Sequence, residues 1–302
     1  MDSVLITGGT GLIGKALHKH LILKGYKVII LTRNIPAHSK GVTYALWDIE
    51  KKQVDHTAIQ QADFIIHLAG AGVMDKRWTA SYKEKIIKSR TDSSILLADS
   101  LEKYPNSVKA VVSASAIGWY GTDRPGHIFT EEDLPAKDFL GETCRLWEQS
   151  IDMAGKAGIR IVKLRSGIVL SNEGGALKEF AKTIKFGIAA IPGNGKQCIS
   201  WIHITDLCRM YQFALENVIS GSYNAVAPGT ITNKELNVKL AALKKRKFFI
   251  PLHIPPFIIR LILGEQSIEV MKSTTVSSKK IKGAGFTFLY PSIEAALQNL
   301  DN

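Results

Sequence analysis

The sequence predicts an α/β fold, a doubly wound and mostly parallel sheet with a smaller C-terminal domain, and three observations carry that prediction. Short apolar runs at residues 4–6, 27–32, 64–68, 109–114 and 160–166 have the length of buried strands and alternate with helical patterns. The first run leads at once into a glycine turn, Gly8-Gly9-Thr10-Gly11-Leu12-Ile13-Gly14, from which apolar residues recur at helical spacing (Ala16, Leu17, Leu21). Past residue 170 the alternation weakens, which leaves the last part of the chain for a second unit.

With 302 residues, 45% hydrophobic and 22% charged, the chain can bury a sizeable core. The larger domain is expected over residues 1–170, rejoined by segments from about 198–228, and the smaller over 171–302 with a terminal module at 250–302. No apolar run approaches the roughly 18–20 residues of a membrane span, so no membrane partner is expected. The first strand begins within three residues of the start, without a signal-peptide layout. Cys144, Cys198 and Cys208 offer neither a disulfide framework nor a metal-ligand spacing, so no metal is expected and a reducing, cytoplasmic setting suits the chain. The formal net charge of +12 admits a nucleic-acid partner or an anionic small ligand. The densest cluster, Lys244-Lys245-Arg246-Lys247, reads as a helix end, and the other cations are scattered, which favours a small ligand over nucleic acid.

At the glycine turn, Gly8 permits the tight bend, Gly11 lets a pyrophosphate approach the backbone, and Gly14 lets the helix pack on the strand. With Thr10, Leu12 and Ile13 they form an anion cradle, because unpaired N–H groups and the positive end of the helix dipole point at the same place. The second strand ends in Thr32-Arg33-Asn34, with no acid to accept bonds from ribose hydroxyls. Arg33 offers instead a guanidinium fork suited to a 2′-phosphate, so the expected cofactor is NADP(H). Asp48, ending a third strand over 44–47, is placed to touch the adenine side. The strand at 64–68 opens into Leu68-Ala69-Gly70, small enough for a cofactor ribose to lie on the backbone, and His67 reads as a packed strand-end residue. A helix over about 78–103, stopped by Pro105, puts Lys85, Ser89 and Arg90 on one face, within reach of cofactor phosphates or of solvent.

The next strand leads into Ser113-Ala114-Ser115-Ala116-Ile117-Gly118-Trp119-Tyr120-Gly121. Here the chain resembles the extended short-chain dehydrogenase/reductases, the class that includes nucleotide-sugar epimerases. Thr7 to Gly14 is similar to that class's TGxxGxxG turn, His67-Leu68-Ala69-Gly70 to its HLAA strand end, and Ser113-Ala114-Ser115 with Tyr120-Gly121 to its SSS…YG strand. More narrowly it resembles an atypical "epimerase family" branch carrying Lys76-Arg77-Trp78, Ser89-Arg90, Arg165-Ser166-Gly167, residues 201–207 (WIHITDL) and a short C-terminal module. The resemblance implies a Rossmann-type NADP(H)-binding domain, a smaller substrate domain and a substrate-polarising role for Ser115.

The class places Tyr-x-x-x-Lys on the following helix, the tyrosine as acid/base and the lysine lowering its pKa and holding the nicotinamide ribose. This chain has Cys144 and Glu148 four apart in the corresponding stretch. Glu148 serves as acid/base if burial lifts its pKa, or else pairs with a neighbour such as Arg145; Cys144 is a second candidate, or packs as a small hydrophobe. Ile168 packs on the nicotinamide or in the core, and the resemblance puts Gln197 and His203 at the substrate cleft, His203 alternatively orienting the next turn. Asp206 reads as capping the next helix or compensating its dipole, Thr232-x-x-Glu235 as a capping box, and Pro256 as the first turn of a helix. Two functions follow: an NADP(H)-dependent oxidoreductase or epimerase acting on a small carbonyl or sugar-nucleotide compound, or a non-catalytic NADP(H)-binding sensor, as monomer or homodimer.

Overall fold

The computed structural model describes residues 1–36, 41–244 and 248–301. Strands β1 (Ser3–Thr7), β2 (Lys27–Thr32), β3 (Thr43–Asp48), β4 (Gln53–Val54), β5 (Phe64–His67), β6 (Ala110–Ala116) and β7 (Arg160–Ser166) are interleaved with helices α1 (Leu12–Leu23), α2 (His56–Gln60), α3 (Ala80–Lys103) and α4 (Phe139–Asp152). There follow β8 (Ile168–Leu170), α5 (Ala176–Ile184), β9 (Ile188–Pro192), β10 (Cys198–Ile199), β11 (Trp201–His203), α6 (Ile204–Glu216) and β12 (Gly221–Ala225). The chain closes with β13 (Ile231–Thr232), α7 (Asn233–Leu243), β14 (Ile250–Ile254), α8 (Pro256–Leu263), α9 (Ser267–Met271), α10 (Lys279–Gly283) and α11 (Ile293–Asp301). Periodicity gave no sign of β4 and α2, which at two and five residues are too short to show one.

The large sheet has the order β12-β7-β6-β5-β1-β2-β3-β4, parallel throughout except for β4 against β3. From β1 the chain steps outward one way to β2 and β3, then returns to build β5, β6 and β7 on the other side. The crevice beyond the C-terminal ends of β1 and β5 is therefore the topological switch point. Alternate strand residues serve opposite faces. Val4, Ile6, Val28 and Ile30 pack with Leu17 and Leu21 of α1 and with Met210 and Tyr211 of α6. Leu5, Ile29, Leu31 and Ile65 pack with Leu97 and Leu101 of α3 and with Ile151 of α4. Burial on both faces makes such strands read as continuous apolar runs. A third core joins Leu177 and Ile184 of α5, Trp201, Leu236 and Leu240 of α7, and Leu297 of α11.

Local chemistry fixes the element ends. Thr79 caps α3 by accepting the Tyr82 N–H at 3.2 Å, so that helix begins two residues beyond Trp78. The capping box of Thr232 and Glu235 forms at α7, and Gly264, at φ +62°, closes α8. Lys244 ends α7 and pairs with Asp301 at 2.8 Å, while Lys245, Arg246 and Lys247 of the basic cluster lie outside the described residues. The C-terminal module is tied over the loop after β5: Gln266 Nε2 donates to the Val73 and Lys76 carbonyls at 3.0 and 2.8 Å, and Arg77 Nη2 to that of Leu261 at 2.9 Å. Among the described residues no helix is long and apolar enough to cross a membrane, and no group of three or more His, Cys, Asp or Glu side chains could hold a metal ion.

Candidate cofactor and substrate cleft

β1 ends where the strand order reverses, and residues 8–14 turn the chain there into α1. Gly8 has φ +67°, and a Cβ on it would come to 2.7 Å from the Leu68 carbonyl oxygen. A Cβ on Gly14 would reach 2.5 Å from the Gly8 oxygen, so this glycine packs α1 onto the backbone of the turn itself instead of on the strand. Gly11 differs: its nearest neighbour would be the Gly8 oxygen at 3.4 Å, and the space above it is open. It is the N-cap of α1, with no side-chain cap and no acid in the first turn, so the leading N–H groups of the helix lack partners among the described residues. Thr10 is exposed at the mouth, with Leu12 and Ile13 half-buried behind it. At the end of β2, Thr32 Oγ1 accepts the Asn34 N–H at 3.3 Å, and Arg33 stands exposed with no carboxylate paired to it among the described residues. Asp48 is occupied in its own turn, accepting the Lys51 N–H at 3.0 Å.

The floor of this end is a closed network. Thr7 Oγ1 accepts the N–H groups of Leu68 and Ala69 at 3.1 and 3.2 Å, so its hydroxyl proton goes to His67 Nδ1, 2.8 Å away. The ring is therefore the Nε2–H tautomer, facing Ser94 and Ser93 Oγ at 3.1 and 3.3 Å. Both serine hydroxyls are themselves spent on main-chain carbonyls. Burial pushes the pKa of His67 down to about 3. His67 packs, as its position suggested, and fixes the Thr7 hydroxyl that holds Leu68 and Ala69.

The nicotinamide side differs from expectation. Asp138 caps α4 by accepting the Gly141 N–H at 2.8 Å, which sets the N-terminus of that helix at the crevice. Leu140 and Cys144 face the turn after β6, since a Cβ on Gly118 would lie 3.2 Å from Leu140 Cβ and 3.6 Å from Cys144 Sγ. Glu148 lies one turn deeper. The α4 residues that meet the turn after β6 are thus Leu140 and Cys144, one turn earlier than the assigned Cys144 and Glu148. Leu140 has no proton to move, and burial pushes the Cys144 thiol up to about 12.

Glu148 is 4% exposed and every lone pair of its carboxylate is taken. Oε1 accepts from Ser115 Oγ at 2.6 Å and Arg165 Nε at 2.8 Å; Oε2 accepts from Arg165 Nη2 at 2.9 Å and Ser222 Oγ at 3.1 Å. Arg165 also stacks on Trp119, 3.7 Å from its ring centroid, and donates to Tyr120 Oη at 3.0 Å, which donates in turn to Asn224 Oδ1 at 2.6 Å. Glu148 and Ser115, the expected acid/base and substrate-polarising groups, thus lie inside a buried network joining α4, β6, β7 and β12. Arg145, the expected partner of Glu148, pairs instead with Glu142 and Gln149. Sequence reasoning missed Ser222, Asn224 and Leu140 altogether. Arg165 surfaced only through the resemblance.

α3 likewise splits its expected face. Lys85 is exposed, Ser89 Oγ accepts the Ala71 N–H at 2.9 Å, and Arg90 is buried beneath Gly70. A cavity of about 500 Å³ lies between residues 193–197 and 253–273 and is lined by Lys196, Gln197, His253, Met271 and Ser273 among others. Gln197 is held by its Nε2 bond to the Pro192 carbonyl at 2.9 Å. Lys272, between the lining residues Met271 and Ser273, pairs with Glu269 at 2.8 Å and with Asp138 at 3.9 Å. His203 is elsewhere. It caps α6 through the Thr205 N–H at 3.1 Å, its ring centroid lies 4.0 Å from that of Tyr290, and burial pushes its pKa down to about 4. Ile168 pairs with Trp201 between β8 and β11 and packs on the third core. Asp206 does not cap α6; it is the acid of that helix's first turn, favourable to the dipole, and receives the N–H groups of Leu289 and Tyr290, both at 2.8 Å.

The sequence profile of the NAD dependent epimerase/dehydratase family matches residues 4–226, and that of a domain of unknown function (DUF1731) matches residues 254–300. The chain is 34% identical over 301 residues to the epimerase family protein YfhF of Bacillus subtilis, covering 99% of this chain and 97% of that one. The crystal structure of the human epimerase family protein SDR39U1 (isoform 2), with NADPH, superposes with a TM-score of 0.87 at 28% identity, covering 99% of both chains. A nucleoside-diphosphate sugar epimerase from Corynebacterium glutamicum superposes with a TM-score of 0.79 at 32% identity, covering 99% of this chain and 58% of that one.

Proposed function

Because the chain belongs to the NAD dependent epimerase/dehydratase family, we propose that it is an NADP(H)-dependent oxidoreductase or epimerase-like protein acting on a small carbonyl or sugar-nucleotide compound. The observation that carries this reading is the uncapped N-terminus of α1 over Gly11, at the switch point, with the exposed Arg33 at the end of the neighbouring β2. A Cβ at Gly11 would fill the cradle, and Arg33 supplies the fork for a 2′-phosphate. The NADPH of the human relative supports the same choice.

In this reading Gly8, Thr10, Gly11, Leu12, Ile13 and Gly14 receive the pyrophosphate, and Thr32 and Arg33 the 2′-phosphate. Asp48 borders the adenine; Leu68, Ala69 and Gly70 carry the ribose. The bound cofactor supplies the hydride. The cavity beside Gln197 admits the substrate, and the C-terminal module over the loop after β5 shields the crevice from water. No proton passes through Glu148, which is fully bonded.

A second reading, a non-catalytic NADP(H) sensor, is favoured by Leu140 and the committed Glu148. Calorimetry should show NADPH binding more tightly than NADH. A panel of sugar nucleotides and small carbonyls, followed at the nicotinamide absorbance and by product analysis, separates the two readings. Turnover of any member supports the enzyme; tight NADPH binding with none supports the sensor.

A further inference from the structure

Part of the C-terminal half combines a long run without acids with apolar side chains left in solvent. Residues 236–264 hold no Asp or Glu, and they carry Lys239, Lys244, Lys245, Arg246, Lys247 and Arg260. Residues 185–196 hold no acid either and add Lys185 and Lys196, both exposed. Lys239 and Lys244 pair with Glu294 and Asp301. Lys245, Arg246 and Lys247 lie outside the described residues and form no part of the face described next.

Two elements there have an open side. β14 pairs with β9 alone among the described strands. β9 buries Ala189 and Ile191, so Ile188, Ala190 and Pro192 take its other face, in register with Ile250, Leu252 and Ile254 of β14. Ile250 and Leu252 are exposed on that face. Phe186 and Phe248, which lead into the two strands, are 83% and 90% exposed, and the Ile250 N–H donates to the Gly187 carbonyl at 2.9 Å to hold those ends together. α8 follows directly after Pro255. It buries Ile259 and leaves Phe257, Leu261 and Ile262 exposed. Arg260 is exposed among them, paired to no carboxylate among the described residues.

The chemistry of this face selects its occupant. Apolar groups so exposed are unfavourable in water, and a cluster of them marks an interaction surface. An isologous dimer over the face would set Arg260 and Lys185 near their own copies, in a chain of formal charge +12. An added strand meets a different obstacle. The Ile250 N–H and the Ile254 carbonyl are turned to β9, so the free edge of β14 presents Pro251, which has no N–H to give. Aliphatic Ile250, Leu252, Leu261 and Ile262 offer no stacking platform for nucleic-acid bases. An anionic bilayer meets both halves of the face: apolar side chains enter the acyl boundary while neighbouring Lys and Arg stay at the level of the phosphates. We propose that β14 and α8, with Phe186 and Phe248, seat this protein on an anionic membrane surface. No helix among the described residues is long and apolar enough to cross a membrane, and surface binding needs none. The proposal is independent of the NADP(H) reading.

The test is co-sedimentation of the full chain with vesicles of phosphatidylcholine alone and with vesicles containing about 30% phosphatidylglycerol, each at about 0.1 and about 0.5 M salt. Wild type is compared with Phe186→Ser/Phe248→Ser, Phe257→Gln/Leu261→Gln and Arg260→Glu. These variants change only exposed side chains, so Tm and NADPH affinity should match wild type. Wild type should bind the anionic vesicles at least about 10-fold more tightly than the neutral ones, and less tightly at the higher salt. Each apolar pair should weaken that binding about 10-fold or more, and Arg260→Glu about 5-fold or more. Failure of wild type to bind anionic vesicles overturns the proposal and leaves the face to an acidic protein. Equal binding to both kinds of vesicle overturns it as well. So does equal binding by wild type and either apolar pair, since cations alone would then account for adsorption. A dimer in light scattering that either apolar pair dissolves overturns it in favour of a second copy.

Discussion

At the glycine turn the first N–H groups of α1 have no partner among the described residues and Arg33 stands in solvent, whereas around α4 the Glu148 carboxylate holds bonds from Ser115, Arg165 and Ser222. Both regions border one crevice and both collect the polar residues expected of a site. The difference is solvent. Unpaired groups at the turn are covered by water until an anion replaces it, so leaving them open costs little. Groups around Glu148 are out of water and must satisfy one another, because each unmet donor or charge there is expensive. Open bonding capacity at a wet surface therefore marks ligand-ready residues. A saturated buried cluster marks scaffold, even where it includes a serine and a carboxylate at active-site positions.

That comparison breaks first if the buried cluster is not scaffold. Arg165→Met leaves Glu148 charged and unpaired, and urea denaturation should show a loss of about 3–5 kcal/mol. The double change Glu148→Met with Arg165→Met should recover most of it. NADPH affinity of the folded protein should stay within about 2-fold, about 0.4 kcal/mol. A loss below about 1 kcal/mol, or a large loss of affinity at unchanged stability, would return Glu148 to the site.

The two glycines sharpen the other side. Gly11→Val should abolish most NADPH binding, at least about 100-fold or about 2.7 kcal/mol, while stability changes by less than about 1 kcal/mol. The contrast is Gly14→Ala, whose Cβ meets the Gly8 oxygen at 2.5 Å and Gly9 Cα at 2.6 Å. It should cost about 1–3 kcal/mol of stability by overpacking. Equal affinity in wild type and Gly11→Val would mean that the turn is not the phosphate cradle.

Arg33→Ala comes next. NADPH should lose about 1–3 kcal/mol, the worth of bonds to a charged group, and NADH almost nothing. Calorimetry with both cofactors decides it, and equal losses would remove Arg33 from 2′-phosphate recognition.

The sequence made the open half of the crevice legible and left the closed half obscure, for a physical reason. The β1 run, the glycine turn and the first turn of α1 interact over a few residues, so local spacing records them. Glu148 meets partners 17, 33 and 74 residues away, on three different strands, and no local pattern records such distances. Helical periodicity is equally silent on which turn of α4 faces the crevice, because residues 140, 144 and 148 share one face. The approach of Leu140 and Cys144 to Gly118 shows which turn meets the loop after β6. Gln197 and His203 are six positions apart, yet the backbone carries one to the cavity and buries the other under Tyr290.

The last prediction concerns the buried network at the open end, and its effect is the smallest at any one pH. His67 lies under the glycine turn with both ring nitrogens occupied. A second proton, on Nδ1, would face Thr7 Oγ1, which already accepts two N–H groups. Burial holds its pKa near 3, against about 6.5 in the unfolded chain. Between those values the unfolded state binds one proton more than the folded state, so stability falls as pH falls, by about 1.4 kcal/mol per pH unit. Above about pH 7 this contribution is flat. Carboxylates with lowered pKa values, such as Asp63 and Glu235, lose their contribution at more acidic pH, so the window from pH 7 to 5 belongs mainly to histidines. His203, held near 4, adds a slope of the same sign that persists when His67 is replaced. Urea denaturation of wild type and His67→Gln at pH 7, 6 and 5 isolates the term. The variant should be less stable at pH 7, having lost a packed ring, and wild type should lose about 2 kcal/mol more than the variant on going to pH 5. Parallel pH slopes would show that His67 is protonated in the folded state, and that the floor beneath the open end is not the closed network its hydrogen bonds describe.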